Sequence, residues 1–385
     1  WDENFFASAN YENSFSDKWA MKGNVKYSYA WSHYLAYDDI YMDGKEEDYY
    51  TQNEYYASAA LQYRPTPRLR LTLAEDFFIN TLDATIPECA YPTRFSTMTS
   101  LAGQYKDSRL TVTASLLGTY ITEDVKIGVA ADDKWRISPS ASISYKLFEE
   151  RNFRIRASYK DGFRVPTFND LYYSRVGNHN LAPEKSTQFN LGFTWSGHLW
   201  ENVVDYASFT VDGYYNVVKD KIVAIPTMFI WRMLNMGRVV MSGVDLNAYA
   251  NFGLSGAGSL ILSLNYSYQY AVDVSDPESK SYKHQVPYTP EHSGTVSLSW
   301  KNRWVNMSYL CSMVGKRYSF PQNIEMNLIE GYMDHSISLS REFNISDHKI
   351  TLLAEVQNIG DVNYEVVKNY PMPGRSYRLT LKYNF

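Results

Sequence analysis

The 385-residue chain lacks the features that define several common classes of protein. It has only two cysteines, Cys89 and Cys311, which are too few for a disulfide scaffold. Its net charge of -5 offers no basic footprint for DNA or RNA, so we expect no nucleic-acid partner. No run of about eighteen apolar residues is present, which excludes a membrane-spanning helix. A membrane β-barrel is not excluded, because its strands alternate apolar and polar residues.

What the chain has in abundance is aromatic residues and alternation. Aromatics make up 16% of the sequence and include 34 tyrosines, more than a globular core can supply with partners for their hydroxyls. In "GSLILSLNYSYQY" (258–270) and in the C-terminal "GRSYRLTLKYNF", every second residue is apolar or aromatic. This period predicts strands with one apolar and one polar face. Many runs reach about ten residues, the length of a strand that crosses a bilayer.

The predicted connections alternate between short turns and long loops. Short turns are expected at 13–17, 64–67, 106–109, 149–152, 301–303 and 344–347. Long loops are expected at 35–51, 82–92, 122–134, 164–184, 226–240, 272–290, 315–329 and 359–373. This asymmetry, with about seventeen strands, is typical of an all-β, transmembrane antiparallel β-barrel of the outer membrane. A soluble sandwich is the alternative, whereas a propeller would need a repeat of about forty residues that the sequence does not show.

Three stretches resemble segments of TonB-dependent outer-membrane receptors. The first is "FRVPTFNDLYYSRVGNHNLAPEKS" (163–186), similar to the FRxP and NxNLxPE boxes of that family. The second, between 218 and 245, contains Lys221, Ile222, Asn235, Gly237, Gly243, Val244 and Asp245, similar to the pattern I…N…G…GVD. The third, "VQNIGDVNYEVVKNYPMPGRSYRLTLKYNF" (356–385), is similar to the family ending. The motif residues to which we assign a structural role are Phe163, Arg164, Pro166, Asn178, Asn180, Leu181, Pro183, Glu184, Asn358, Gly374, Arg375 and Phe385.

The resemblance implies a barrel of about 22 strands around an N-terminal plug. Residues 1–385 would then be the C-terminal portion of the barrel, and we expect the plug and the first strands upstream of it. The implied function is active import of a scarce, bulky nutrient, powered by the TonB–ExbB–ExbD complex through that upstream part. The implied surroundings are the lipid of the bacterial outer membrane, and a surface lipoprotein that caps the loops is a further candidate partner. No catalytic motif is present, so a passive porin or a barrel enzyme is the alternative of a different class.

The loops predict the kind of ligand. They hold few cations and several apolar or aromatic residues, which suit a large and mostly neutral ligand. The candidate ligand-binding residues are Met228, Phe229, Trp231, Tyr318, Phe320 and Tyr370. The chain is most similar in these respects to vitamin B12 (cobalamin) receptors, with ferric siderophores or haem as alternatives. No cofactor is required for such transport.

An acidic segment, "YDDIYMDGKEEDYY" (37–50), is a candidate calcium site. Asp38, Asp39, Asp43 and Glu46 supply the hard oxygen ligands that Ca²⁺ prefers, although their spacing matches no EF-hand. A solvated acidic loop is the alternative interpretation.

Overall fold

The computed structural model is almost entirely β-structure. It describes residues 1–37, 44–86, 89–172, 177–200, 203–226, 231–254, 256–345 and 348–384. Within those residues, no helix is long and apolar enough to cross a bilayer. One short α-helix, α1 (Phe168–Tyr172), and one 3-10 turn (Glu325–Asn327) interrupt the described strands.

Seventeen strands form one sheet, which agrees with the predicted number. They are β1 (Asp2–Ser14), β2 (Trp19–Tyr37), β3 (Lys45–Thr66), β4 (Leu69–Ala84), β5 (Pro92–Lys106), β6 (Leu110–Val125), β7 (Lys134–Lys146), β8 (Asn152–Arg164), β9 (Glu184–Gly197), β10 (Val204–Pro226), β11 (Trp231–Gly253), β12 (Ser259–Asp273), β13 (His292–Lys301), β14 (Asn306–Val314), β17 (Tyr332–Ile345), β18 (His348–Gln357) and β21 (Ser376–Asn384). Two small hairpins lie in loops: β15 (Arg317–Tyr318) with β16 (Leu328–Ile329), and β19 (Glu365–Val367) with β20 (Tyr370–Pro371).

The chain divides into two compact units. The first consists of Trp1–Ile143, Ser158–Gln188 and Val218–Met236, and in it β1 to β6 pair antiparallel in chain order. The second consists of Ser144–Ala157, Phe189–Val217 and Gly237–Phe385. In the second unit β11, β12, β13, β14, β17, β18 and β21 pair antiparallel in the same sequential manner.

Two loops predicted from the sequence are too long. The prediction placed a loop at 35–51, but β2 and β3 stay paired as far as Tyr37 and Lys45. It placed another at 226–240, but β11 begins at Trp231. In the first of these places β3 begins with the charged residues Lys45, Glu46 and Glu47. Their backbone groups still complete the sheet ladder, while their side chains no longer show apolar alternation.

The sheet of the first unit has one apolar and one polar face. On the apolar face, Val25, Leu73, Leu101 and Leu116 are each at least half exposed. Aromatic pairs flank this band, with Trp19 and Tyr63 stacked at 4.4 Å toward the short turns, and Tyr27 and Tyr55 5.1 Å apart on the other side. Exposed apolar area of this extent requires an apolar environment, and aromatic belts at its two edges are typical of a surface that faces a membrane.

Gly243, in the second predicted motif, lies where β11 approaches its neighbour closely. A Cβ atom there would overlap the Tyr268 carbonyl oxygen and the Tyr214 ring. The obstacle on one side is backbone of the paired strand β12, which cannot move without loss of ladder hydrogen bonds. The motif glycine is therefore required by packing.

We expect Gly243→Ala to destabilise the protein by about 1–3 kcal/mol, the usual cost of overpacking. Gly118→Ala is the matched control, because the nearest atom to its added Cβ would be the Thr99 carbonyl oxygen at 3.8 Å. Urea unfolding followed by tryptophan fluorescence compares the two variants with the parent protein. Equal unfolding midpoints for both variants would contradict the steric argument.

Candidate functional site

In the first unit, residues of two predicted motifs converge on one carboxylate. Glu184 Oε1 accepts a hydrogen bond from the Arg164 guanidinium at 2.9 Å and another from the Ile222 backbone N–H at 2.7 Å. Arg164 also lies 3.5 Å from the Asp170 carboxylate. The FRxP box, the NxNLxPE box and the end of β10 are thus joined through charge-assisted hydrogen bonds.

Asn235 joins the same boxes from the start of β11. Its Oδ1 accepts from the Ala182 N–H at 2.9 Å, and its Nδ2 donates to the carbonyls of Ala182 at 3.0 Å and Asp220 at 2.7 Å. Asn178 adds a 3.3 Å bond from Nδ2 to the Met233 carbonyl. The side-chain amides of Asn235 and Asn178 thus provide hydrogen-bond partners to backbone groups of Ala182, Asp220 and Met233.

Ile222, which donates to Glu184, also belongs to a small apolar core. Leu171, Leu181 and Ile222 are buried together, and Tyr172 and Met233 pack against them.

Helix α1 begins with two reciprocal hydrogen bonds between Thr167 and Asp170. Asp170 Oδ2 accepts from the Thr167 N–H at 2.8 Å, and Thr167 Oγ1 accepts from the Asp170 N–H at 3.2 Å, in the manner of a capping box. The described residues of this part of the chain, 165–172 and 177–183, are therefore held by both packing and hydrogen bonds.

Arg94 and Glu123 fasten this segment to the sheet. Arg94 Nε donates to Glu123 Oε1 at 2.8 Å, its Nη2 donates to the Pro166 carbonyl at 2.7 Å, and its guanidinium lies 4.9 Å from the centre of the Phe168 ring. Tyr172 Oη donates to Glu123 Oε2 at 2.7 Å. Burial, and then the hydrogen bond to this carboxylate, raises the pKa of Tyr172 well above its usual value. The sequence analysis missed both Arg94 and Glu123.

A polar cavity of about 520 Å³ lies beside α1 in the first unit. Its charged lining residues are Lys26, Glu54 and Arg94, and amides and hydroxyls supply most of the remaining polar lining: Ser28, Gln52, Asn53, Asn80, Thr81, Thr167 and Asn169. Lys26 Nζ lies 3.3 Å from Glu54 Oε1, and Asn80 donates to Glu54 Oε2 at 3.1 Å. Arg94 is paired with Glu123. Each cation of the cavity has a carboxylate partner, so the cavity presents mainly neutral hydrogen-bonding groups.

In the second unit three loops interlock. They are residues 274–291, 315–331 and 358–375. The Tyr288 N–H donates to the Tyr318 carbonyl at 2.8 Å, and Asn323 Nδ2 donates to the Gln285 carbonyl at 3.2 Å. Lys368 Nζ donates to the Leu328 carbonyl at 2.7 Å. Each loop is thus fixed by a neighbour in addition to its own turns.

Arg317 is the central cation of these loops. Its side chain is almost fully buried, and its Nη2 donates to the carbonyls of Glu365 at 2.6 Å and Val366 at 3.0 Å. Burial lowers the pKa of the Arg317 guanidinium. Near it Tyr364 stacks on Tyr332 at 3.9 Å; burial and a hydrogen bond to Asp334 raise the pKa of Tyr364 to about 12.

The third predicted motif shapes the 358–375 loop. Asn358 is buried with φ of 48°, and its side chain bonds Val362 through both N–H and carbonyl at 2.9 Å. The Arg375 N–H donates to Asp361 Oδ1 at 2.8 Å, and a Cβ on Gly374 would lie 2.8 Å from the same oxygen. The motif residues build a turn, while Phe385 lies outside the described residues.

The predicted ligand-binding residues fall in different parts of the chain. Tyr318 and Phe320 are half-buried in the 315–331 loop, and Tyr370 is 68% exposed in the 358–375 loop. Trp231 begins β11, but its side chain is not described, and Met228 and Phe229 lie outside the described residues. The ligand role of all six stays a prediction.

The predicted calcium ligands are mostly outside the described part. Asp38, Asp39 and Asp43 are not described, and Glu46 is half-buried near the start of β3. Among the residues with described positions, no group of three or more His, Cys, Asp or Glu side chains is placed to hold a metal ion. Calcium binding therefore stays a prediction.

Comparison with known proteins shows the family. The model of the TonB dependent receptor-like β-barrel matches residues 2–359. The chain belongs to this family. Its members are receptors and transporters rather than enzymes, and the chain is a β-barrel protein of the bacterial outer membrane.

Individual relatives are distant. The chain is 22% identical over 266 residues to the vitamin B12 transporter BtuB of Photobacterium profundum, which covers 66% of this chain and 38% of that protein. Among solved structures, it resembles BauA, the ferric preacinetobactin receptor of Acinetobacter baumannii, with a TM-score of 0.78, 13% identity, and coverage of 100% of this chain and 63% of that one. It also resembles the copper transporter OprC, with a TM-score of 0.79, 15% identity, and coverage of 97% and 64%. The chain therefore spans less than two thirds of each of these relatives.

We expect Asn235→Ala to loosen the NxNLxPE segment, because it leaves three backbone groups without their partner at a cost of about 1–3 kcal/mol. Amide exchange of 178–184, measured by mass spectrometry, should become about tenfold faster or more. Asn180→Ala is the control, since that side chain is exposed and its loss should leave exchange unchanged. Unchanged exchange in both variants would show that Asn235 does not hold the segment.

Arg317→Ala should release the 358–375 loop, because the Glu365 and Val366 carbonyls lose their buried donor. Cleavage of that loop under limited proteolysis should accelerate by about tenfold, whereas Lys316→Ala, a change at the exposed neighbouring residue, should have no effect. Equal cleavage rates in the two variants would exclude Arg317 as the fastening group.

Proposed function

We propose that the full-length protein imports a bulky, mostly neutral nutrient of the corrinoid class, of which vitamin B12 is the first candidate. The observation that carries this proposal is the amide-rich cavity of about 520 Å³ beside α1, in which each cation is matched by a carboxylate. A corrin ring is surrounded by carboxamide side chains, which pair well with Gln52, Asn80 and Asn169. The distant relationship to a vitamin B12 transporter supports the same ligand class.

Charge argues against an anionic ferric siderophore at this cavity. Recognition of several negative charges favours cations that are free to form charge-assisted hydrogen bonds. Lys26 is engaged by Glu54, and Arg94 by Glu123 and the Pro166 carbonyl. To bind an anion, either cation would have to leave a partly buried carboxylate without its partner, which is costly.

Haem binding is less well supported by the described histidines. His292 Nδ1 lies 2.7 Å from the Tyr266 hydroxyl, and His335 Nδ1 lies 2.7 Å from the Tyr309 hydroxyl. His284 Nδ1 lies 3.2 Å from the Pro321 carbonyl oxygen. These contacts occupy one ring nitrogen of each histidine, and the three are not grouped as metal ligands in the described part of the chain.

Energy for import would come from the TonB–ExbB–ExbD complex, as family membership supports. The interlocked loops of the second unit, with Tyr370 exposed, offer a surface for the ligand or for a lipoprotein cap. We include the cap in the proposal as a second use of these loops.

The test is a titration of the full-length receptor in detergent with cyanocobalamin, and with haemin in parallel. Gln52→Leu and Asn80→Leu should each weaken cobalamin binding by about fivefold, because one hydrogen bond contributes roughly 0.5–1.5 kcal/mol. Gln62→Leu makes the same chemical change on the same strand as Gln52, outside the cavity, and should leave affinity unchanged. Replacement of Met228, Phe229 and Trp231 tests the predicted loop contacts.

Absence of cobalamin binding would refute the corrinoid assignment. Haemin binding in its place would direct attention to the histidines. Cobalamin binding that is insensitive to Gln52 and Asn80 would keep the ligand and place its site elsewhere.

A further inference from the structure

Five cations converge at the short-turn ends of β2 to β5 in the first unit. Lys18, Arg64, Arg68, Arg70 and Lys106 all line one depression of about 500 Å³. Backbone hydrogen bonds place them in neighbouring pairs: the Arg64 N–H donates to the Lys18 carbonyl, and the Lys106 N–H to the Arg68 carbonyl, both at 2.8 Å. Asp17 is the one acidic residue of the lining. The depression is thus strongly basic in a chain whose net charge is -5.

These five cations are unpaired although they lie close together. All five are exposed, and in the described part of the chain none of their side chains takes part in an ion pair. Nearby cations of the first unit are paired: Lys22 lies 2.8 Å from Glu12. Adjacent like charges repel each other, so their convergence favours binding of an anion.

The register shows which side of the sheet the anion approaches. Trp19 pairs with Tyr63, and Leu69 pairs with Tyr105, all on the apolar face. Lys18 and Lys106 directly adjoin Trp19 and Tyr105, and Arg70 adjoins Leu69, so alternation directs them to the polar face. A lipid headgroup would approach from the apolar face, where the aromatic belt marks the membrane boundary. The polar face favours a ligand from the aqueous side.

The size of the cluster favours an extended ligand. Its residues come from four adjacent strands and their turns, which are about 4.8 Å apart, so the cations span about 15 Å. A single phosphate or carboxylate contacts only one or two of them. An extended polypeptide advances about 3.3 Å per residue and therefore covers this span with four or five residues.

We propose that the basic depression binds an acidic polypeptide segment, with several carboxylates aligned along Lys18, Arg64, Arg68, Arg70 and Lys106. Three of the five are arginines, whose guanidinium groups hold carboxylates in two-point contacts. Binding is electrostatic and weakens with salt. The proposal depends on this charge cluster and is independent of the nutrient imported.

The test uses the full-length receptor in detergent and fluorescein-labelled hexaglutamate, with hexaglutamine as the uncharged control peptide. Fluorescence anisotropy should show salt-sensitive binding of hexaglutamate alone. Arg64→Glu with Arg68→Glu should weaken it at least tenfold. Lys301→Glu with Arg303→Glu, which makes the same charge change at the short turn between β13 and β14, should leave affinity within about twofold.

Four results would overturn the proposal: no binding of hexaglutamate, equal binding of hexaglutamine, equal loss in the two charge-reversed variants, or displacement of hexaglutamate by tripolyphosphate at concentrations below those of unlabelled hexaglutamate. The third result would mean that only the net charge matters, and the fourth that the depression is a small-oxyanion site. A fifth result would also overturn it: loss of hexaglutamate binding in bilayer nanodiscs containing phosphatidylglycerol, but not in phosphatidylcholine nanodiscs, would assign the depression to lipid phosphate. Urea unfolding of the same variants, followed by tryptophan fluorescence, checks that the receptor remains folded.

Discussion

The two-residue period of the strands governs the rest of this structure, because it divides the side chains of each strand between two very different environments. Antiparallel pairing satisfies the backbone donors and acceptors, so a long sheet can present an apolar face to hydrocarbon without exposing an unbonded peptide group. Val25, Leu73 and Leu101 then remain exposed on one face, while Lys26, Glu54 and Asn80 meet on the other. A shift of register by one residue would exchange the two sets, so the pairing of each strand is strongly specified.

On the polar face, charges are stabilised mainly by partners on other strands or loops. Arg136 forms an ion pair with Asp161 at 2.6 Å, and Arg94 forms one with Glu123. The partners are 25 and 29 residues apart in the sequence. Such pairs keep polar side chains in defined positions, and Arg94 can therefore also hold the Pro166 carbonyl, next to helix α1. Residues of the family motifs similarly satisfy backbone groups: Glu184 accepts from the Ile222 N–H, Asn235 from the Ala182 N–H, and Asn358 from the Val362 N–H.

The sequence predicted the sheet better than the site. Alternation revealed strands wherever one face is apolar, and it failed near Tyr37 and Lys45, where polar side chains occupy both faces of a strand that is still paired. Arg164, Glu184 and Asn235 were identified because they stand in segments that resemble the family motifs, although Asn235 contacts a residue 53 positions away. Arg94 and Glu123 were missed because the contact of Arg94 with Pro166 spans 72 residues, and only strand register brings them together. Three of the four predicted calcium ligands, and two of the six predicted ligand-binding residues, lie outside the described ranges.

The contrast between the two polar depressions of the first unit shows how pairing determines chemistry. Both are lined by cations, yet Lys26 and Arg94 each form an ion pair with a carboxylate, whereas Lys18, Arg64 and Lys106 form no ion pair in the described structure. Where each cation is paired with a carboxylate, amides and hydroxyls determine which ligand binds. They select ligands by hydrogen-bond geometry and suit a neutral ligand. Where cations stand unpaired on adjacent strands, their fields add, and the surface selects by charge. The different ligands that we propose for the two depressions follow from this difference, because the placement of a few acidic residues decides which cations remain available.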